Sequence, residues 1–309
     1  MKDRFGREIS YLRISVTQRC NFRCAYCGAE QPGINELSPG QLAVFAAAFA
    51  RAGITKIRLT GGEPLIREDI AAIARAVRDA AKPETLAVTT NGFLLKEKAP
   101  ALKEAGVDAV NISLDTLDPA CFNRMTGRDA LSAVLAGLET ALAQGFRRVR
   151  VNAVLLRGVN DGDADKLAAL ARDYPVDVRF IELMPTADGD DYKKRMIPSG
   201  ELLARFPHLS PVPGEDGAAE YYTAEGFQGR VGLISPVSKK FCNDCSRIRL
   251  LADGRVKPCL GQKETFDLRP FLEDPDRLYE EICKCIYNKP AGHHFEKSRG
   301  LAPMNQIGG

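Results

Sequence analysis

Up to Pro185, apolar positions follow two alternating periods. Short runs rich in Val, Ile, Leu and Thr ("YLRISV", "KIRLT", "TLAVTT", "AVNISL", "RRVRVNAVLL", "VDVRFIEL") are separated by longer amphipathic stretches of helical period ("GQLAVFAAAFARAG", "DIAAIARAVRDAA", "LLKEKAPALKEAG", "ALSAVLAGLETALAQG", "DADKLAALARD"). Six strands joined by five helices read as βαβ units of a parallel sheet, an α/β fold. Strand count leaves open whether that sheet is doubly wound or a full or partial barrel. In either form ligands bind beyond the carboxyl ends of the strands. The polar motifs fall there: a cysteine loop after strand one, "TGGEP" after strand two, "TTNG" after strand three, "SLDT" after strand four and "ELMP" after strand six. Past Pro185 the pattern breaks into "PTADGDDYKKRMIPSG" and "VPGEDGAAE", both polar and turn-rich. This predicts a division into residues 1–190 and 191–309. The shorter runs "EYYTA", "GRVGLISPVS" and "RIRLLADGRVKPC" predict a small α+β annex in the second part.

Composition narrows the setting. The chain has 309 residues, 45% of them hydrophobic, enough for one large core and a smaller annex. Its 43 basic and 40 acidic residues leave a formal charge of +3, too little asymmetry to argue for a nucleic-acid or membrane partner, so any anion site must be local. "MKDRFGREIS" leads into no apolar run of signal-peptide length, and "LAVFAAAFA" is far short of a membrane span; the expectation is a cytoplasmic protein. Nine cysteines in such a chain point to metal ligation or catalysis, because cytosolic thiols are kept reduced. There is no Gly-Lys dipeptide, hence no phosphate loop of the usual kind, which argues against ordinary Mg-assisted phosphoryl transfer.

Six cysteines form two groups of three. Cys20, Cys24 and Cys27 in "CNFRCAYC" have C-x3-C-x2-C spacing. Soft thiolates at this spacing suit zinc or an iron–sulfur cluster. A closed site needs a fourth ligand, and the next cysteine, Cys121, is far along the chain. Three thiolates on a four-iron cluster leave one iron open to a substrate; a zinc knuckle or buried inert thiols are the plainer alternatives. The second group, Cys242, Cys245 and Cys259, has C-x2-C-x13-C spacing. Cys283, Cys285, His293 or His294 could close it as a zinc ribbon. Around it, Lys239, Lys240, Arg247, Arg249, Arg255 and Lys257 outnumber Asp244 and Asp253. On a strand, Arg247 and Arg249 would point to one face, where their guanidinium forks could grip a polyphosphate; the alternative is a solvated basic hairpin.

The first triad, with Tyr26 before its last cysteine and "GGEP" after strand two, resembles the radical S-adenosylmethionine superfamily. There the open iron chelates the amino and carboxyl groups of S-adenosylmethionine, and an electron from the cluster cleaves the sulfonium to a 5′-deoxyadenosyl radical. Gly61 and Gly62 are small enough for backbone to approach that ligand, and Glu63 can accept from its ammonium group; an ordinary strand-to-helix turn is the other reading of "GGEP". The paired triads, C-x-R-x-R and the terminal "MNQIGG" narrow the resemblance to the GTP 3′,8-cyclase family of molybdenum cofactor biosynthesis. It runs nearly end to end, through "IRLTGGEPLIR", "NISLDTLDP", "RVRVNAVLLRGVND", "RFIELMPT", "GLISPVSKKFCNDCSRIRLLADGRVKPCL" and "KPAGHHF".

The resemblance implies a partial (β/α)6 TIM-like barrel of the radical S-adenosylmethionine type with a small C-terminal α+β iron–sulfur domain. It implies two [4Fe-4S] clusters, one on Cys20, Cys24 and Cys27 and one on Cys242, Cys245 and Cys259, the second binding guanine through its open iron. Tyr26, Gly62, Ser113 and Met184 fall at S-adenosylmethionine positions. Arg13, Arg58, Thr89, Arg150, Arg247 and Arg249 fall at GTP positions, and Gly308 and Gly309 resemble a tail that enters the active site. The implied reaction is abstraction of the ribose 3′ hydrogen, attack of the C3′ radical on guanine C8, and reduction to 3′,8-cyclo-7,8-dihydro-GTP. An external low-potential electron donor, cyclic pyranopterin monophosphate synthase as the next enzyme of the pathway, and a homodimer are the partners it brings.

Two features depart from the family pattern. "GAE" and the short loop "QPGINELSP" follow Cys27 where Met-Pro is usual, and Arg150 replaces a common lysine, a planar fork in place of a point charge. Cys121, Cys283 and Cys285 read as small buried residues or free thiols. Two other classes compete with the cyclase: a radical enzyme that modifies a peptide and carries an auxiliary cluster domain, and a zinc-bound interaction protein. The C-x-R-x-R motif and Gly-Gly tail argue against the first, the three-ligand triads against the second.

Overall fold

The computed structural model describes residues 1–27, 35–185, 192–214, 218–295 and 303–307. Six strands, β1 (Tyr11–Ser15), β2 (Lys56–Thr60), β3 (Thr85–Thr90), β4 (Ala109–Ser113), β5 (Arg148–Val154) and β6 (Val176–Ile181), lie parallel in sequence order. Between them run α1 (Pro39–Arg51), α2 (Ile70–Ala81), α3 (Leu95–Glu104), the pair α4 (Pro119–Thr126) and α5 (Leu131–Ala143), and α6 (Ala164–Asp173). This is the expected partial barrel. No helix among the described residues is long and apolar enough to cross a membrane.

Local chemistry starts the helices. Ser38 accepts from the Gln41 backbone N–H while the Gln41 side chain accepts from the Ser38 N–H, a capping box with Pro39 in the first turn of α1. Asp118 caps α4 by accepting from the Cys121 N–H at 2.6 Å, and Asp274 accepts from the Arg277 N–H at 3.0 Å. The helix that Asp274 starts (Pro275–Tyr287), like α4, is missing from the five that periodicity predicts. An Asp-Pro dipeptide marks both beginnings.

Along the barrel strands, alternate residues point to opposite faces. Leu12, Ile14, Ile57, Leu59, Val151 and Val178 are almost fully buried in the core shared with the helices. Their neighbours turn toward the lumen, where Arg58, Asn111, Arg150 and Arg179 are each 8% exposed or less. A parallel sheet covered by apolar layers on both faces would read as continuous hydrophobic runs. Here one face is polar because it encloses a site.

Beyond β6 come α7 (Tyr192–Arg195), α8 (Ser199–Ala204), β7 (Ser210–Val212), β8 (Glu220–Thr223), β9 (Val231–Ile234), β10 (Arg247–Leu250), β11 (Arg255–Lys257), β12 (Phe266–Asp267), α9 (Pro275–Tyr287) and α10 (Met304–Ile307). These elements form the small α+β part that sequence reading expected, and their strands extend the barrel's own sheet. β10 pairs parallel with β1, setting Arg249 opposite Arg13, and β9 pairs parallel with β6. Antiparallel β11 and β12 on one side, β8 and β7 on the other, complete a twelve-stranded order among the described residues, β12-β11-β10-β1-β2-β3-β4-β5-β6-β9-β8-β7. An open barrel leaves unpaired N–H and C=O groups along β1 and β6. The C-terminal hairpins satisfy both edges. The expected division near residue 190 falls in 186–191, outside the described residues.

Candidate active site

The barrel and the C-terminal strands enclose a cavity of about 350 Å³, within the range of small-molecule sites, about 300–1,000 Å³. All six triad cysteines line it, as do Arg13, Tyr26, Arg58, Gly61, Gly62, Glu63, Thr89, Ser113, Met184, Arg247 and Arg249. Arg150 is not part of its wall; it is buried on β5 with Nε 3.6 Å from an Asp177 carboxylate oxygen. Gly308, Gly309 and the loop 28–34 lie outside the described residues.

The first triad is carried by the loop that leaves β1. Phe22 anchors it, packing edge-on against Phe93 and Phe122 at ring distances of 6.0 and 5.9 Å. The Arg23 and Ala25 N–H groups donate to the carbonyls of Thr126 and Met125 at the end of α4. "GGEP" braces the loop from below. A Cβ on Gly61 would lie 2.3 Å from the Thr17 carbonyl oxygen, and one on Gly62 would lie 2.2 Å from that of Arg19. The close approach that requires glycine here is therefore to the cysteine loop's own backbone, in addition to any ligand in the cavity. Glu63 accepts from Thr90 Oγ1 at 2.7 Å and from the N–H groups of Asn91 and Leu65 at 2.6 and 3.0 Å. Burial still outweighs those bonds and raises its carboxyl to about 7. Tyr26 donates to Asp115 at 2.6 Å, and burial raises that carboxyl to about 6. The tail arrives at the same loop: the Met304 N–H donates to the Cys27 carbonyl at 3.0 Å, and Asn305 Nδ2 donates to the Gln18 carbonyl at 3.1 Å.

The second triad lies at the start of β10 and is braced by the N-terminus. Arg7, ion-paired with Asp3 at 2.6 Å, donates to the carbonyls of Cys242 and Ala291 at 2.8 Å each and of Pro290 at 2.6 Å. Lys289 is buried and donates to the Pro258 carbonyl at 2.6 Å. Burial pushes the Cys245 thiol up, but the charges of Arg247 and Lys289 prevail and bring it to about 7. In the first triad nothing opposes burial strongly, and Cys20 is raised to about 11.

Sequence reading missed Tyr11, Asp115, Arg179 and Lys289, all of which line the cavity. The alternation in "VDVRFIEL" could have pointed Arg179 inward. It donates to Asn152 and Asn111 at 2.9 and 2.7 Å, and burial lowers its guanidinium to about 10.

The donor sets fit the groups the resemblance implies. All six triad cysteines are thiols that line one cavity, and soft thiolates suit an iron–sulfur cluster. For a polyphosphate the fit lies in unspent polar atoms: Tyr11 Oη, Thr89 Oγ1 and Arg249 Nε are buried without hydrogen-bond partners in residues of the cavity wall. Cys121 and Cys285 are 4% and 3% exposed, as small apolar residues would be, and burial raises Cys285 to about 12.

Comparison with known proteins agrees with this geometry. Residues 14–171 match the radical SAM superfamily and residues 176–295 the Molybdenum Cofactor Synthesis C family. Over 318 residues the chain is 40% identical to the GTP 3′,8-cyclase of Clostridium acetobutylicum, covering 100% of both chains. It is 41% identical to that of Peptoclostridium acidaminophilum, covering 99% of this chain and 98% of the relative. The chain belongs to the GTP 3′,8-cyclase family of radical SAM enzymes. Streptococcus suis SuiB, in a crystal structure bound to S-adenosylmethionine, shares the fold with a TM-score of 0.63 at 15% identity, over 89% of this chain and 68% of that one. SuiB was also solved with a precursor peptide, at 15% identity and a TM-score of 0.60. Full-length identity of 40% to cyclases favours the family over a peptide-modifying maturase, for which only the fold speaks.

Proposed function

We propose that this chain converts GTP to (8S)-3′,8-cyclo-7,8-dihydroguanosine 5′-triphosphate, an early step of molybdenum cofactor biosynthesis. The observation that carries this reading is one cavity lined by two three-thiol sets, one among carboxylates and the other among arginines. In this reading Cys20, Cys24 and Cys27 hold one [4Fe-4S] cluster and Cys242, Cys245 and Cys259 the other. With S-adenosylmethionine, these groups supply the electron and the hydrogen-abstracting radical.

The protein's own contribution is placement and charge. Tyr26, held by Asp115, and the wall of Gly61, Gly62, Glu63, Ser113 and Met184 bind S-adenosylmethionine. Arg13, Arg58, Thr89, Arg247 and Arg249 hold the triphosphate, leaving the ribose between the two ends. Arg150 supports that site from deeper in the barrel, through the Asp177 pair. Met304 and Asn305 line the cavity, and the reading gives Gly308 and Gly309, outside the described residues, a role in the reaction. The reading includes an external low-potential electron donor, a cytoplasmic setting, in keeping with nine free cysteines, and a homodimer, which sedimentation would check.

The test is an anaerobic assay of the reconstituted, dithionite-reduced protein with S-adenosylmethionine, with and without GTP. The expected result is 5′-deoxyadenosine that rises with GTP and a cyclised dihydro-GTP of unchanged mass. Deoxyadenosine formed equally without GTP, with the nucleotide intact, would overturn the substrate and leave the radical chemistry standing.

A further inference from the structure

Three neighbouring strands stack their inward side chains in two rows. Arg249, Arg13 and Arg58 are register partners across β10, β1 and β2, and two residues back Arg247, Tyr11 and Lys56 form the second row. Tyr11 is the one uncharged member. It belongs to the cavity wall, its hydroxyl is buried without a hydrogen-bond partner, and the Arg58 guanidinium carbon stands 5.4 Å from its ring centroid.

The chemistry of the neighbours shows what is missing. A phenol has a proton to donate, but guanidinium and ammonium groups carry donors only and cannot accept it. No group in either row can satisfy the hydroxyl as a donor. An acceptor must come with the ligand, and the same cations select an anionic one. Burial pushes the phenol up, yet Arg58, Arg13, Arg179 and Arg247 together outweigh it and lower it, a sign of how positive the potential at this oxygen is. Arginines alone would bind many anions in many poses. A single hydroxyl donor fixed by a strand adds direction.

We propose that Tyr11 is a substrate-binding residue whose hydroxyl donates a hydrogen bond to a phosphate oxygen of the nucleotide, reading the phosphate chain and not the base or sugar. This rests on the reading of the cavity as a nucleoside triphosphate site. Tyr11→Phe removes the oxygen and keeps the ring that packs by Arg58. Both clusters are reconstituted in wild type and variant, iron and visible spectra are recorded, and anaerobic dissociation constants are measured for GTP, guanosine and inorganic tripolyphosphate.

The expected result is a 10- to 100-fold weaker Kd for GTP and tripolyphosphate in the variant, about 1.4–2.8 kcal/mol at 1.4 kcal/mol per tenfold, with guanosine changed by less than about twofold. KM for GTP should rise more than kcat falls, a split that a merely structural role would not produce. Unchanged GTP affinity in an iron-replete variant overturns the proposal alone, as does an equal loss for GTP and guanosine. Wild-type protein that binds neither GTP nor tripolyphosphate overturns the nucleotide reading and this proposal with it.

Discussion

The two cysteine triads present the same donors to one cavity, yet the charges around them are opposite. Near Cys20, Cys24 and Cys27 the ionisable neighbours are Glu63 and Asp115, which add to burial in pushing the Cys20 and Cys24 thiols up. Near Cys245 and Cys259 they are Arg247, Arg249, Lys257 and Lys289, and Cys245 is drawn down despite its burial. A ligand motif therefore specifies what binds the thiolates and leaves open what binds beside them. The carboxylate end suits a cationic partner such as a sulfonium, the arginine end an anionic one. One end of the cavity offers carboxyl groups and the other arginines.

The largest effect should come from removing one thiol at a time. Cys24→Ala should cost about half the reconstituted iron and reduce deoxyadenosine formation to background. Cys245→Ala should cost the same iron but keep some cleavage of S-adenosylmethionine while the cyclised product disappears. Iron analysis with product mass spectrometry checks both, and identical behaviour of the two variants would erase the division of labour.

Next come the cations. Arg247→Ala with Arg249→Ala removes two charge-assisted contacts worth about 1.5–3 kcal/mol each, so GTP affinity should fall by more than about a hundredfold with both clusters assembled. Arg150→Ala, away from the cavity wall, should change it by less than about tenfold. Equilibrium dialysis on iron-replete samples compares the two.

The smallest effect concerns the carboxylate end. Burial raises Glu63 from 4.5 to about 7, so the folded chain favours its neutral form. Ionisation then costs the folded state but not the unfolded chain, and this contribution to stability falls as pH rises from about 4.5 through about 7. Glu63→Gln should flatten that decline by on the order of 2–3 kcal/mol in denaturant midpoints of the cluster-free protein. An unchanged slope would show that the internal hydrogen bonds from Thr90, Asn91 and Leu65 hold the carboxylate ionised.

Chain pattern alone sufficed for most of what is local. The six strands and five helices follow from periodicity, and both triads, "GGEP" and C-x-R-x-R follow from spacing, because each is written within a few residues. Even α4 and α9, which periodicity missed, carry a local mark in their Asp-Pro starts. Relations between distant segments came only with folding. Tyr11 meets Arg247 through the parallel pairing of β1 with β10, and Arg7 reaches the carbonyls behind Cys242 from the opposite end of the chain. Inward alternation tells which way Arg150 points, not how deep it sits or that Asp177 takes its charge. Gly61 and Gly62 are glycine because another loop lies against them. Spacing along a strand encodes direction. Depth, charge partners and the closing of both barrel edges depend on which strands pair, and hydrogen bonding between remote segments decides that.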